Sequence, residues 1–309
     1  MKRRLFKILF IICIFTTINA DENILLKNYL GFGIKYNTLK ETVLQSSLKI
    51  SELNWNTAIV PYIFDELILK LFDFNFLLGV NTVIPVKSGY VTDSDWLFVD
   101  KSLLSNYSYH ENFIDKNYMF YLKVSYTIPI FLAKFLIQQG LGIMYINEKY
   151  SAKNGYYQYS LNENKAVSSN TQKTQLCGTI MSYEISAFLP VCFINTKIKL
   201  SEKQRLFSNL DLFPYMFIDS IDTHILRLVE FYDSMRGGYG FTLETGYVYR
   251  FTKTFELALS ISCLLLKISG ISGSRVIGES SIIERNKEIQ SNLKKSSWEI
   301  KIGLLQRFN

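Results

Sequence analysis

The sequence predicts an all-β fold, a ten-stranded antiparallel transmembrane β-barrel with long extracellular loops, and three observations lead to this prediction. The chain begins with a stretch typical of a secretory signal, long segments alternate apolar and polar residues, and aromatic residues make up 15% of its 309 residues. Aromatic residues favour strands and membrane interfaces, and alternation at a period of two indicates a strand with two different faces. Beyond the first twenty residues there is no uninterrupted apolar run of about 18 residues, the pattern of a transmembrane helix.

Residues 1–20 are expected to be a signal peptide, and residues 21–309 the barrel domain. Three cations precede a mostly apolar stretch from Leu5 to Ile18, and Ile18-Asn19-Ala20 offers a cleavage site. The alternative, a short membrane anchor, is disfavoured because the apolar run is shorter than the roughly 20 residues that a helical span needs. Cleavage removes four cations and no acids, which lowers the net charge from +7 to +3. The sequence pI of about 9.0 is therefore no argument for a nucleic-acid partner.

Three cysteines remain after cleavage, Cys177, Cys192 and Cys263, and all lie in apolar runs. An odd number without C-x-x-C spacing excludes a disulfide framework and gives no zinc signature. We expect these side chains to be buried or to face lipid, and a Cys177–Cys192 bond remains an open alternative. No metal and no organic cofactor is expected.

Alternation identifies the strands in chain order. Apolar residues take every second position at 30–36, 118–128, 241–251, 255–265 and 298–304, with glycines and polar or charged residues between them. Several of these segments have 10 or more residues, whereas strands of a soluble sandwich usually have about 5–6. Glycines and charges on the inner face are typical of a transmembrane barrel. The last segment ends at Phe308 and is expected to pair with the first, which leaves no sheet edge exposed to lipid.

Counting the connections gives ten strands. Short connections are expected near 61–66, 129–133, 194–204 and 251–254, and long polar ones near 37–49, 88–117, 150–174, 218–239 and 268–297. Short turns belong on the periplasmic side and long loops outside. With both termini periplasmic, the strands that begin near 24, 67, 133, 205 and 254 run outward. Within 194–210, Asn195-Thr196 and Ser208-Asn209 are both plausible turns.

Two short motifs carry candidate chemistry, Asp93-Ser94-Asp95 and Asp222-Thr223-His224. In an extended backbone, residues two apart point to the same side, so each motif presents a pair of side chains. Asp93 follows the third predicted strand and Asp222 the seventh, and both strands run outward. We therefore expect both pairs at the extracellular rim, on different sides of the barrel mouth.

Such pairs suit the attack of water on a peptide carbonyl without a covalent intermediate. Two close carboxylates raise one another's proton affinity, so one stays protonated while the other accepts a hydrogen bond. Asp222 can orient His224 and stabilise the imidazolium that forms when His224 deprotonates water. Taken singly, each motif is common: an Asp-Ser-Asp triplet is usually a solvated turn or part of a weak calcium site. Their predicted position on one rim is what favours catalysis.

The mature chain resembles the omptins, ten-stranded outer-membrane endopeptidases of Gram-negative bacteria, over essentially its whole length. The best match runs from Ile-Ser-Glu-Leu-Asn-Trp at 50–55 through Val-Thr-Asp-Ser-Asp-Trp at 91–96 to Ser108-Tyr109-His110, and Asp222-Thr223-His224 matches the family's Asp-x-His. The resemblance implies four catalytic residues: His224 as general base, Asp222 as its orienter, and Asp93 with Asp95 as partners of the water and the oxyanion.

The resemblance also implies residues that bind the substrate. Ser108 and His110 match a family Ser-x-His near the groove, and His110 is expected to support the groove wall. A serine nucleophile with His110 as its base is the rival mechanism, although the family's serine is not a nucleophile. Omptins prefer a basic residue before the cut, held by buried acids. Glu41 matches one acid, whereas Ser220 stands where the second is expected.

Two further positions, Asn106 and Asn147, depart from the family pattern. Asp219 lies beside Ser220 but has the opposite strand parity, and Asn106 occupies an acidic position before Ser108. A lone carboxylate still binds Lys or Arg, so some preference for basic residues is expected, with weaker discrimination. The family's exterior site for lipopolysaccharide is matched by Tyr145 and Lys149, while Asn147 replaces its acid.

The sequence thus predicts an outer-membrane endopeptidase whose active site faces the extracellular side. Its expected partners are peptide or protein substrates and outer-membrane lipid, including lipopolysaccharide. The alternative is a barrel of the same family with an adhesive or structural role and weak or lost proteolysis. A diffusion pore is disfavoured because the inner residues and rim loops fit a filled barrel better.

Overall fold

The structure, a computed structural model, describes residues 24–128, 134–277 and 284–308. These ranges form thirteen β-segments and one 3₁₀ turn, Ile225–Arg227. The segments are β1 (Ile24–Gln45), β2 (Leu48–Leu71), β3 (Phe74–Val83), β4 (Val86–Asp95), β5 (Asn106–Ile128), β6 (Phe135–Tyr159), β7 (Thr174–Lys199), β8 (Gln204–Phe213), β9 (Met216–His224), β10 (Val229–Gly237), β11 (Tyr239–Arg250), β12 (Phe255–Val276) and β13 (Glu284–Phe308). The predicted signal peptide lies outside the described residues.

The thirteen segments make ten barrel strands, because three strands are each interrupted once. Pro85 separates β3 from β4 and Pro214 separates β8 from β9, since proline has no N–H to donate to a neighbouring strand. Gly238, with a φ of 68°, separates β10 from β11. Each strand pairs antiparallel with its neighbours, and β13 pairs with β1. The ring is therefore closed, and the predicted ten-stranded barrel is confirmed.

Alternation places apolar side chains outside and glycines or polar groups inside, as predicted. On β1, Leu30, Phe32, Ile34 and Tyr36 are all exposed. On β11, Leu243 is exposed, whereas the neighbouring Glu244 points inward and forms an ion pair with Lys301 at 3.2 Å. Similar side chains on the other strands complete an apolar belt around the end of the barrel that carries Ile24 and Phe308. We call the opposite end the far rim.

Within the described residues, no helix is long and apolar enough to cross a membrane.

The interior is filled with side chains. Within the belt, Lys123 pairs with Asp211 at 2.7 Å, and the cavity that these two residues line has a volume of only about 100 Å³. Nearer the far rim, Trp55 lies 5.6 Å from Tyr150 and 6.0 Å from Tyr183 between ring centroids. All three rings are fully buried. This aromatic layer separates the space above it from the rest of the interior.

Several predicted connections are wrong. Residues 61–66 lie inside β2, and the turn follows at 72–73, where Phe72 has a φ of 55°. Residues 37–49 are strand on both sides of a tight turn at Ser46-Ser47, whose φ values are 49° and 69°. Neither Asn195-Thr196 nor Ser208-Asn209 is a turn, because β7 continues to Lys199 and β8 begins at Gln204. The turn at 251–254 is confirmed, and the one at 129–133 lies outside the described residues.

The errors at the far rim, such as the one at residues 37–49, share a physical cause. A tilted membrane strand needs about 9–11 residues, whereas β7 has 26 residues and β6 has 25. The strands therefore continue well past the apolar belt, and beyond it both faces carry polar residues. Polar composition alone made these extensions resemble loops. The long connections at 88–117, 150–174, 218–239 and 268–297 are shortened at both ends for the same reason.

The three cysteines of the barrel are free. Cys192 and Cys263 lie on the outer face of the apolar belt, as predicted. Cys177 is exposed near the start of β7, at the far rim and away from the belt. The prediction that this side chain is buried or faces lipid is therefore wrong. No bond joins Cys177 to Cys192.

Candidate active site

Two cavities open at the far rim and meet along one line of side chains. The first, with a volume of about 250 Å³, lies on the side of β5, β6 and β7. The second, of about 410 Å³, lies on the side of β1, β2 and β12. Asp93, Asp95, His224 and Arg227 line both cavities. The two cavities are therefore the arms of one groove with a charged centre.

Asp222 and His224 form a close pair on the inner face of β9. Nε2 of His224 lies 2.8 Å from Oδ2 of Asp222, and the imidazole packs edge-on against Phe231 with 5.4 Å between centroids. Oδ1 of Asp222 accepts no hydrogen bond from any described residue. The carboxylate and the phenyl ring thus fix the imidazole, which leaves Nδ1 as the ring nitrogen that can take a proton from water.

Asp93 and Asp95 end β4 on the opposite wall, and both are buried. The backbone carbonyl of Asp95 accepts hydrogen bonds from the N–H and the hydroxyl of Ser105, each at 2.8 Å. Asn106 donates to Oδ2 of Asp95 at 3.2 Å. Burial and, next, the charge of Asp95 raise the pKa of Asp93 to about 7. Near neutral pH, Asp93 is therefore present in both its protonated and its ionised form.

The two pairs influence each other across the groove. Burial alone would lower the pKa of His224, but the adjacent Asp222 and then Asp93 raise it to about 9. His224 in turn lowers the pKa of Asp93, opposing burial and the charge of Asp95. Because each of these two groups changes the proton affinity of the other, the titrations of His224 and Asp93 are linked.

Arg227 is a residue of this site that the sequence analysis missed. The 3₁₀ turn after His224 brings its Nη2 to 3.6 Å from Oδ2 of Asp95 and 3.4 Å from the hydroxyl of Tyr159. Leu228 ends the turn with a φ of 54°. The only sequence signal was the closeness of Arg227 to His224, because the surrounding loop has no periodic pattern.

Ser108 and His110 lie in the wall of the first cavity without contacting each other. Ser108 is opposite Asp93 in the ladder between β4 and β5, and its Oγ has no hydrogen-bond partner among the described residues. Nδ1 of His110 lies 2.6 Å from the carbonyl oxygen of Asn154. That carbonyl is presented by a bulge in which Gly155 has a φ of 103°, and a Cβ there would lie 1.9 Å from a backbone oxygen of β5. The hydrogen bond that a serine–histidine nucleophile requires is absent.

Glu41 and Ser220 are buried side chains on the side of the second cavity. Glu41 lines that cavity and is 4% exposed, and Ser220 is also buried. Ser220 donates a hydrogen bond of 2.9 Å to Asp233, the residue opposite it on β10. Asp233 is 3% exposed, and the sequence analysis missed it because no local motif surrounds it. Asp219 points outward, as its parity predicts, and pairs with Arg236 at 2.9 Å.

Tyr145 and Lys149 lie on the outer face of β6, away from the groove. The ring of Tyr145 lies 6.3 Å from that of Tyr118, and Nζ of Lys149 lies 3.9 Å from Oε2 of Glu184. Asn147, between them, donates to the hydroxyl of Ser186 at 2.8 Å.

In the part of the chain that the structure describes, no three His, Cys, Asp or Glu side chains are grouped so that they can hold a metal ion.

The fold and the groove define the class of protein: a membrane β-barrel with two carboxylates opposite a carboxylate–histidine pair at one rim. The model of the Omptin family matches residues 26–304, and the chain therefore belongs to the omptin family. Membership supports an outer-membrane protease at the level of the family.

Comparison with solved structures agrees on the fold. The crystal structure of the outer membrane protease OmpT from Escherichia coli matches with a TM-score of 0.82 at 13% identity, and the match covers 95% of this chain and 100% of that one. The outer membrane protein OprG from Pseudomonas aeruginosa matches at 8% identity over 92% and 96% of the two chains, with a TM-score of only 0.38. No curated protein matches at a significant level.

Proposed function

We propose that the protein is an endopeptidase whose far rim faces the outside of the cell and cleaves peptides in the groove. The observation that carries the proposal is the position of the Asp222–His224 pair opposite Asp93 and Asp95 in one groove. Both arms of the groove extend away from this centre. A substrate can therefore continue in both directions from the scissile bond, as internal cleavage requires.

Water is the nucleophile in the proposed reaction. In molecules whose His224 is neutral, a fraction that grows as pH rises toward the His224 pKa of about 9, a water molecule between His224 and Asp93 loses a proton to Nδ1 of His224 while its oxygen attacks the carbonyl carbon. Asp222, at 2.8 Å from Nε2, stabilises the imidazolium that results. His224 then donates the proton to the leaving amine, and the C–N bond breaks. No covalent intermediate forms.

The carboxylate pair and Arg227 stabilise the tetrahedral intermediate. With a pKa near 7, Asp93 is present in both forms at neutral pH. As the acid it donates a hydrogen bond to the oxyanion, and as the carboxylate it orients the water. Arg227 adds a positive charge at the same point and partly offsets the charge of Asp95. Such preorganised groups act most strongly when the substrate has displaced bulk water from the groove.

Outer-membrane lipid is the proposed environment of the barrel, and lipopolysaccharide is a proposed ligand of the outer surface at Tyr145 and Lys149. Glu184 lies opposite Lys149 on β7, where it also contacts Lys116 at 3.2 Å. The charges at this surface are thus partly paired within the barrel. Activity measured with and without lipopolysaccharide tests this part of the proposal.

The test of the function is cleavage of a peptide library by the refolded barrel in detergent and lipid, with cut sites mapped by mass spectrometry. We expect cleavage that resists chelators and serine-protease inhibitors, and its near loss in His224→Ala. Ser108→Ala separates the mechanisms, because a serine nucleophile predicts complete loss and water attack predicts substantial retained activity. Asp219→Asn is the matched control, since Asp219 is an acid on the same strand that faces outward. A folded wild-type barrel that cuts no peptide would refute the proposal and favour an adhesive role.

A further inference from the structure

Two carboxyl groups from different strands meet beneath the second cavity. Glu41 belongs to β1 and Asp233 to β10, and their exposures are only 4% and 3%. Ser272, which lies opposite Asp233 between β10 and β12, lines the same cavity as Glu41, and each carboxyl changes the proton affinity of the other. Ser220, at the position where the sequence analysis expected an acid, lies directly opposite Asp233 between β9 and β10.

The contacts of this pair leave oxygen atoms without donors. Ser220 donates to Oδ2 of Asp233 at 2.9 Å, and Ser272 flanks Asp233 on β12. Oε2 of Glu41 and Oδ1 of Asp233, however, accept no hydrogen bond from the described residues. Buried carboxylates are normally paired or fully hydrogen-bonded, because an unpaired buried charge is costly. With no cation present, a proton held by Glu41 lies between the two carboxyls, and the two remaining oxygens can accept hydrogen bonds from a cation that takes the place of that proton.

The cavity above the pair has a volume of about 410 Å³ and a lining that suits a long basic side chain. Its walls carry apolar residues against which an aliphatic stem can pack: Val43, Ile50, Leu53, Phe231 and Ile289. Glu41 lines the same cavity, and His224 and Asp93 lie at its boundary with the other arm. Lysine and arginine bury their methylene groups against apolar surface and place the charge at the end.

The electrostatics of the pair favour binding of a cation. Burial first, then the charge and hydrogen bond of Asp233, raise the pKa of Glu41 well above its usual range, and Asp222 adds to this effect. Burial also raises the pKa of Asp233. The hydroxyl of Tyr183 acts in the opposite direction and lowers the pKa of Glu41. A guanidinium or ammonium between the carboxyls would reverse this repulsion and favour ionisation of both groups.

We propose that Asp233 and Glu41 together bind the charged end of a Lys or Arg side chain next to the scissile bond, and that Asp233 supplies the carboxylate that Ser220 lacks. Ser220 acts as a positioning residue that orients Asp233 through its hydroxyl. The inference rests on the proposed function. It assigns specificity for basic residues to a pair of acids that are distant in sequence.

The test compares two matched peptides that differ only in arginine or its neutral isostere citrulline at the residue before the cut. We expect Asp233→Asn to lower kcat/KM for the arginine peptide by at least about thirtyfold, because removing one partner of a buried charge pair is costly. The citrulline peptide should be cut as well as, or better than, by the wild type. The double variant Ser220→Asp/Asp233→Ser, which moves the carboxylate across the strand pair, should restore the preference for arginine. Asp219→Asn should leave the ratio unchanged.

An unchanged arginine-to-citrulline ratio in Asp233→Asn would overturn the assignment, and so would an equal loss for both peptides, which indicates a purely structural role. Binding of N-acetylarginine amide to the intact wild-type barrel, measured by calorimetry, separates this inference from the proposed function. Binding that is lost in Asp233→Asn supports the pocket even if no peptide is cut. Absence of binding in a wild-type barrel that cuts peptides without preference for arginine overturns the pocket and leaves the protease intact.

Discussion

Replacing Asp222 by asparagine should sharply lower the pKa of His224. The substitution keeps the size of the side chain and removes its charge, which now lies 2.8 Å from Nε2. Two unit charges 4 Å apart attract by about 4 kcal/mol at an effective dielectric constant of about 20. Each tenfold change in an acid constant corresponds to about 1.36 kcal/mol. The acid constant of the imidazolium should therefore rise roughly a thousandfold, which takes the pKa of His224 from about 9 to about 6.

The assay is favourable because the chain contains only two histidines. In the folded barrel, ¹⁵N-histidine labelling therefore gives two imidazoles to follow by NMR as pH changes. Burial lowers the pKa of His110, so the two titrations should lie on opposite sides of the ordinary value. His110→Gln assigns the signals, and Asp219→Asn controls for the loss of an acid from the same strand.

Two results would refute the reasoning about this pair. A wild-type His224 that titrates below pH 7 would mean that Asp222 and Asp93 do not stabilise its charge. A change of less than tenfold in the acid constant of His224 in Asp222→Asn would mean that the two side chains are not held together in solution.

Two further predictions concern charge at the same site. Asp93→Asn should stabilise the barrel at pH 8 by up to about 4 kcal/mol. Asp93 binds its proton more tightly in the folded barrel, so the stability that protonated Asp93 contributes to the wild type is lost as pH rises from about 4 to about 7. Urea unfolding followed by gel mobility measures the gain, and an equal gain at pH 3 would contradict its electrostatic origin. Arg227→Gln removes a cation that lowers the pKa of both His224 and Asp93. The acid limb of the pH dependence of kcat/KM should move to higher pH, and an unmoved limb would exclude Arg227 from the site.

Much of the fold was predictable because a membrane barrel imposes a strict period on its strands. Alternation on β1 and β11 identified the lipid-facing side, and parity placed Asp222 beside His224 and turned Asp219 outward. The lengths of strands above the belt were not predictable, since no lipid constrains one face there. For this reason residues 37–49 were assigned to a loop although they form strand.

The site was predictable only where it is local in sequence. Asp93 with Asp95 and Asp222 with His224 are i, i+2 pairs, and the resemblance to the omptins supplied their proposed roles. Arg227 and Asp233 reach the site through a 3₁₀ turn and through the register between β9 and β10. A one-residue change in that register would turn Asp233 away from Ser220, so its position could be known only after the strands were paired.

A double-mutant cycle on His224 and Asp93 tests most directly whether the two pairs act on one water molecule. The quantity is kcat/KM of the refolded wild type, His224→Ala, Asp93→Ala and the double variant on one peptide. We expect a loss of about a thousandfold in each single variant and little further loss in the double variant, because groups that act on the same step are strongly non-additive. Losses that multiply, or a His224→Ala variant that retains activity within tenfold of the wild type, would contradict the mechanism.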